Sequence, residues 1–119
     1  MPARLLLDYV EFPSRDLPAT QAFFAAAFGW SFVDYGPNYA FFAQQGLDGG
    51  CFRSETVATP STGGTLLVLR SEALEATLAA VEAAGGVIVK PIFAFPGGRR
   101  FHFAEPGGNE LAVWGDASG

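Results

Sequence analysis

Two stretches decide the fold: "LPATQAFFAAAFG", Leu17 to Gly29, and "LEATLAAVEAAGG", Leu74 to Gly86. Laid over each other with Leu17 on Leu74, an offset of 57, they match at Leu17, Ala19, Thr20, Ala22, Ala26, Ala27 and Gly29. Alanine-rich helices match cheaply by composition, so the flanks carry the weight. Each stretch follows a strand-like run and leads through glycine into another. Before the first, "RLLLDYVEFP" reads as a strand ended by Pro13. Asp16 then stands where an N-cap belongs, Pro18 fits the first turn and Gly29 the C-terminal end, which predicts a helix over Leu17 to Phe28. Before the second, "TLLVL" is a short strand, Ser71 can cap, Glu72 and Glu75 suit the positive end of the helix, and Gly85-Gly86 stops it. Three short runs follow each helix: "WSFVDYG", "YAFFAQQG" and "GGCFRSE", then "GVIVKPIFAF", "RRFHFAE" and "ELAVWG".

Both halves therefore read β-α-β-β-β. The expected fold is α+β, one domain over residues 1–119, with module one at about 4–55, a polar linker at about 56–64 and module two at about 65–116. A chain of 119 residues buries roughly two-thirds of its unfolded surface and needs neither metal nor disulfide to fold. A net charge of −5 repels phosphate backbones and anionic lipid, and no Lys/Arg cluster beyond Arg99-Arg100 offsets it, so neither nucleic acid nor membrane is an expected partner. The one cysteine, Cys51, cannot form an internal disulfide. With no signal peptide or spanning helix in view, a cytoplasmic location is expected.

With these residues in place the chain resembles the vicinal oxygen chelate superfamily, the glyoxalase, bleomycin-resistance and extradiol-dioxygenase group. The markers are "RDLPATQAFFAAAFGW" and the closing F-x-F-x-E-P-G-G-N-E-L, similar to the family's Asp-Pro-x-Gly-Asn turn with Glu105 in place of aspartate. The resemblance implies paired modules whose curled mixed sheets form a cup around a ligand. It also implies metal ligands at set positions, and these fall on Tyr9, Leu66 and Ala112, with a fourth near Cys51 or Glu55. Three of the four are poor ligands, so no metal or other cofactor is the expected state, and a divalent metal is the alternative.

Strand alternation assigns the rest. In "RRFHFAE", Phe101 and Phe103 turn to the helices while Arg100 and His102, the only histidine, face the ligand side. On strand one, Val10 and Phe12 turn inward and Tyr9 and Glu11 face the ligand side. A carboxylate in an aromatic cup needs a partner, so Glu11 is expected to meet Arg100, His102, a ligand cation or water. The expected ligand-binding residues are Tyr9, Glu11, Phe52, Arg100, His102 and Trp114, and Glu11 and His102 are the base and acid if the protein is a catalyst. Cys51 reads as a small buried residue. "PGG" at Pro96 and at Pro106 opens no helix and precedes no Lys-Ser/Thr, so neither is a phosphate loop.

The leading functional expectation is a small-molecule-binding protein of the bleomycin-resistance kind, working without metal as a homodimer. The alternatives are a lyase, isomerase or dioxygenase of the superfamily with unusual metal ligands, a metal-free catalyst using Glu11 and His102, and a module serving mainly to assemble subunits.

Overall fold

The computed structural model describes residues 5–117. The first module comprises β1 (Tyr9–Ser14), α1 (Leu17–Phe28), β2 (Phe32–Asp34), β3 (Tyr39–Gln45) and β4 (Leu47–Arg53). The second comprises β5 (Leu67–Arg70), α2 (Leu74–Ala83), β6 (Val87–Phe95), β7 (Gly98–Ala104) and β8 (Glu110–Gly115). Each module makes its own four-stranded mixed sheet, in the orders β1-β4-β3-β2 and β5-β8-β7-β6, with the first and last strands of each module parallel. The α+β architecture read from the repeat is the one observed, although the two sheets do not close on each other.

The repeat is also chemical. Ser14 Oγ lies 2.7 Å from Thr20 Oγ1, and Ser71 Oγ lies 2.7 Å from Thr77 Oγ1, at the same offset. Each serine also accepts a backbone N–H two residues on, from Asp16 and from Ala73, both at 3.0 Å. The same device thus turns each strand into its helix. Asp16 caps α1 by accepting from the Ala19 N–H, and Gly29 ends it in the left-handed conformation at φ 74°.

The core lies between the helices and the inner faces of the sheets. Phe12, Phe23, Phe24, Phe101, Phe103 and Val113 are all buried there. Phe23 of α1 packs on Phe103 of β7 at 5.6 Å between ring centroids, so the first module's helix rests on the second module's sheet. The turn between β7 and β8 fastens the modules a second time. Glu105, 3 % exposed, accepts from Thr20 Oγ1 and from the Gly107 N–H, while Asn109 donates to Glu105 and to the Pro13 carbonyl. The marker sequence around Glu105 therefore ties β1 and α1 to the second module.

Strand one begins later than its composition suggests. Arg4, where the expected strand and module begin, lies outside the described residues, and Leu5, Leu6 and Leu7 are 92, 71 and 86 % exposed. The reason is the partner strand: β1 pairs with β4 from Tyr9 opposite Asp48, and β4 starts only at Leu47 after the Gly46 turn.

Cys51 is fully buried on the core side of β4. Burial, then the charge of Glu105, pushes its thiol pKa well above the ordinary value. The native thiol is therefore expected to be inert to a chromogenic disulfide reagent at about pH 8 and to react only on unfolding. A full equivalent released at once from native protein would contradict this. Because the folded pKa is the higher one, the thiol's contribution is complete below the ordinary value of 9.0 and is lost above it. That loss approaches about 1.4 kcal/mol per pH unit, and the Cys51→Ala variant should not show it.

Candidate functional site

The first sheet turns one face away from the helices. Across it run a row of Glu11, Gly50 and Phe41 and a row of Pro13, Phe52 and Tyr39. Tyr39 leans out of its own row: its hydroxyl donates to Glu11 Oε2 at 2.8 Å and meets the Tyr9 hydroxyl at 2.6 Å. Gly50 makes this crossing feasible, since a Cβ there would lie 2.1 Å from the Tyr39 oxygen. Desolvation, followed by the hydrogen bonds to Tyr9 and Glu11, raises the Tyr39 pKa well above that of a free phenol, so the proton stays on Tyr39. Tyr9 stacks near Phe41 at 6.4 Å, and Tyr35 meets Phe41 edge-on. The result is a carboxylate held by a phenol on an exposed aromatic face, with one oxygen to spare.

The second sheet has an equivalent face. One row is Lys90, His102, Ala112 and Val68; the next is Phe93, Arg100, Trp114 and Arg70. As alternation requires, Phe101 and Phe103 are buried in the core and His102 points the other way, because the β7–β8 register runs unbroken from Arg99 to Ala104. His102 is nonetheless only 5 % exposed. The register of β6 shifts between Lys90 and Phe93, around Pro91, which brings Phe93 over the imidazole at 5.9 Å. Glu110 Oε2 lies 3.1 Å from Nδ1, and Arg100 Nε donates to Nε2 at 3.2 Å. Both ring nitrogens are therefore engaged, with the proton on Nδ1 facing the carboxylate. Trp114 carries the Arg70 guanidinium 4.8 Å above its ring and meets Phe95 edge-on.

The sequence candidates thus divide into two groups. Tyr9, Glu11 and Phe52 stand on the first sheet, and Arg100, His102 and Trp114 on the second. Glu11 meets Tyr39, not Arg100, because the two residues belong to separate sheets. A hollow of about 770 Å3 runs beside β5, lined by Phe28, Trp30, Val68, Leu69, Arg70 and Ser71 among others, and none of the six candidates borders it. Alternation did not single out Tyr39 or Glu110. Glu110 could have been found from the hairpin, which sets it opposite Ala104 and diagonal to His102. Tyr39 reaches Glu11 only through the β1-β4-β3 pairing, which no local pattern encodes.

The metal positions implied by resemblance do not make a site. Tyr9 spends its hydroxyl on Tyr39, Ala112 sits in the row of His102 with no donor, and Leu66 is a hydrocarbon. Cys51 is turned into the core and Glu55 bonds Arg53 at 2.6 Å. Among the described residues no three His, Cys, Asp or Glu side chains come together as a metal would require.

Comparison with known proteins agrees with this geometry at the level of fold. A glyoxalase-related enzyme from Fulvimarina pelagi superposes with a TM-score of 0.77 at 24 % identity, over 93 % of this chain and 88 % of that one. TnmS3, an antibiotic binding protein from Streptomyces sp. CB03234, superposes with a TM-score of 0.70 at 20 % identity, over 98 % of this chain and 99 % of that one. A glyoxalase/bleomycin resistance protein/dioxygenase family enzyme from Burkholderia phytofirmans PsJN gives 0.74 at 19 % identity, over 91 % and 96 %. No curated protein matches the sequence. The model of one family matches residues 6–113, nearly the whole chain, and by that match the protein belongs to the Glyoxalase/Bleomycin resistance protein/Dioxygenase superfamily.

Proposed function

We propose that this is a metal-independent small-molecule-binding protein, active as a homodimer, in which Glu11 receives a cationic or hydrogen-bond-donating group of an aromatic ligand. The carrying observation is the Tyr9–Tyr39–Glu11 chain: Tyr39, itself bonded by Tyr9, holds one carboxylate oxygen on a face of exposed rings and leaves the other oxygen for a ligand. Aromatic faces also attract cations directly. The same fold serves an antibiotic binding protein in Streptomyces, which supports binding as a role for this scaffold. Val33, Phe52, Val68 and Phe93 on the two sheets, and Tyr35 just past β2, remain 37 to 65 % exposed, which favours a second copy covering them. Catalysis by His102 is the weaker reading, because Arg100 occupies the Nε2 lone pair that a base would use.

The test is calorimetric titration with 2-naphthylmethylammonium and its uncharged analogue 2-naphthylmethanol, with sedimentation at micromolar concentration. The cation is expected to bind about tenfold tighter than the alcohol, with Glu11→Gln removing that preference. The mass should be twice 12.6 kDa. Equal binding of both probes by the native protein, or one tightly held transition metal per chain by elemental analysis, would overturn the reading.

A further inference from the structure

Arg100 and Arg15 are the two described arginines that close on no carboxylate; Arg15 donates to the Glu55 carbonyl, whereas Arg100 is held by an imidazole. Acidic residues outnumber lysine and arginine by 12 to 7, and Arg53, Arg70 and Arg99 each close on a carboxylate. Arg100, half-buried, closes on none among the described residues. Its Nε is committed to His102, and its guanidinium lies 5.6 Å over the Phe95 ring. The two terminal nitrogens have no partner among the described residues. Trp114 is its neighbour in β8 and Phe93 its neighbour in β6, so aromatic residues stand on the strands at either side of it, with Phe95 against the guanidinium. The imidazole behind it is fixed in turn by Glu110 and covered by Phe93.

This is a built chain of contacts. Glu110 holds the proton of His102 on Nδ1, which leaves Nε2 as an acceptor, and Nε2 then holds Arg100 by Nε. The guanidinium loses its rotational freedom while its remaining N–H groups stay unspent. A planar fork of this kind matches a carboxylate with two parallel hydrogen bonds, and flanking aromatic rings suit a flat apolar body attached to it. Binding an anion here also supplies the counter-charge that the acidic chain does not place beside Arg100.

We propose that Arg100 is an anion-binding residue for an aromatic carboxylate on the second sheet's open face, with His102 and Glu110 as positioning residues that aim its fork. The inference rests on the small-molecule-binding reading and adds a second chemistry to it, since Glu11 on the other sheet suits a cation.

The probe is 2-naphthoate, titrated beside 2-naphthylmethanol, which has the same ring system and no charge. The native protein is expected to prefer naphthoate by about tenfold or more. Arg100→Gln should abolish the preference, and Arg100→Lys should keep only part of it, since a point charge lacks the fork. Substitutions at buried His102 risk the fold, so positioning is read at half-buried Glu110: Glu110→Ala should reduce the naphthoate preference, and Glu110→Gln, which still accepts from Nδ1, should restore most of it. Equal affinity for naphthoate and alcohol, or an intact preference in Arg100→Gln, would overturn the proposal. So would an Arg100→Gln variant that sediments as a monomer, which would make Arg100 an interface residue. Should the cationic probe bind and naphthoate fail, this proposal falls and the binding reading stands; should neither bind, the binding reading falls as well.

Discussion

Replacing Phe103 with alanine is expected to cost about 3–5 kcal/mol of folding stability, a large share of what a domain of this size holds. The ring is fully buried and meets Phe23 at 5.6 Å, Phe28 at 6.0 Å and Phe101 at 6.1 Å. Three rigid aromatic neighbours cannot collapse into the space it leaves, so the transfer loss and the cavity loss add. The melting temperature should fall by roughly 15 °C, and the milder Phe103→Leu should cost about 1–1.5 kcal/mol. Because two of the neighbours belong to α1, the loss should appear in a single cooperative transition. Two separable transitions, or a cost below about 1 kcal/mol, would show that the modules do not depend on this contact.

Glu105→Gln is expected to cost about 3 kcal/mol although it changes one atom type. The carboxylate accepts from Thr20 Oγ1 at 2.8 Å, from the Gly107 N–H at 2.6 Å, and from Asn109 through both its backbone N–H and Nδ2. An amide presents one acceptor and one donor, so one side of the turn would face donor against donor in a buried place. Denaturant titration measures the loss. A variant within about 0.5 kcal/mol of the native protein would mean that the turn rearranges without penalty and that Glu105 does not hold the modules together.

How much of this was legible depended on whether the deciding neighbour was close in sequence. The bounds of α1 could be read because Asp16, Pro18 and Gly29 all act within a turn of the helix. The two faces of β7 could be read because nothing interrupts its register with β8. The start of β1 could not, since apolar content makes Leu5 to Leu7 resemble a strand while the length of β4 decides where pairing begins. The burial of His102 was hidden for a similar reason: the covering ring comes from β6, displaced by an irregularity at Pro91. The outward face of Glu11 was legible from alternation but its partner was not, because Tyr39 reaches Glu11 only where Gly50 lacks a side chain.

The clasp around Glu105 also bears on how the chain is joined. The modules hold each other through Phe23 on Phe103, through the Arg15 N–H on the Gly107 carbonyl at 3.0 Å, and through Asn109 on Pro13. The stretch that connects them makes an exposed 3-10 turn at Pro60–Thr62. Its covalent continuity therefore contributes little beyond raising the effective concentration of one module for the other. A chain nicked at that turn would stay assembled, and its halves, expressed separately, would be suited to fragment complementation.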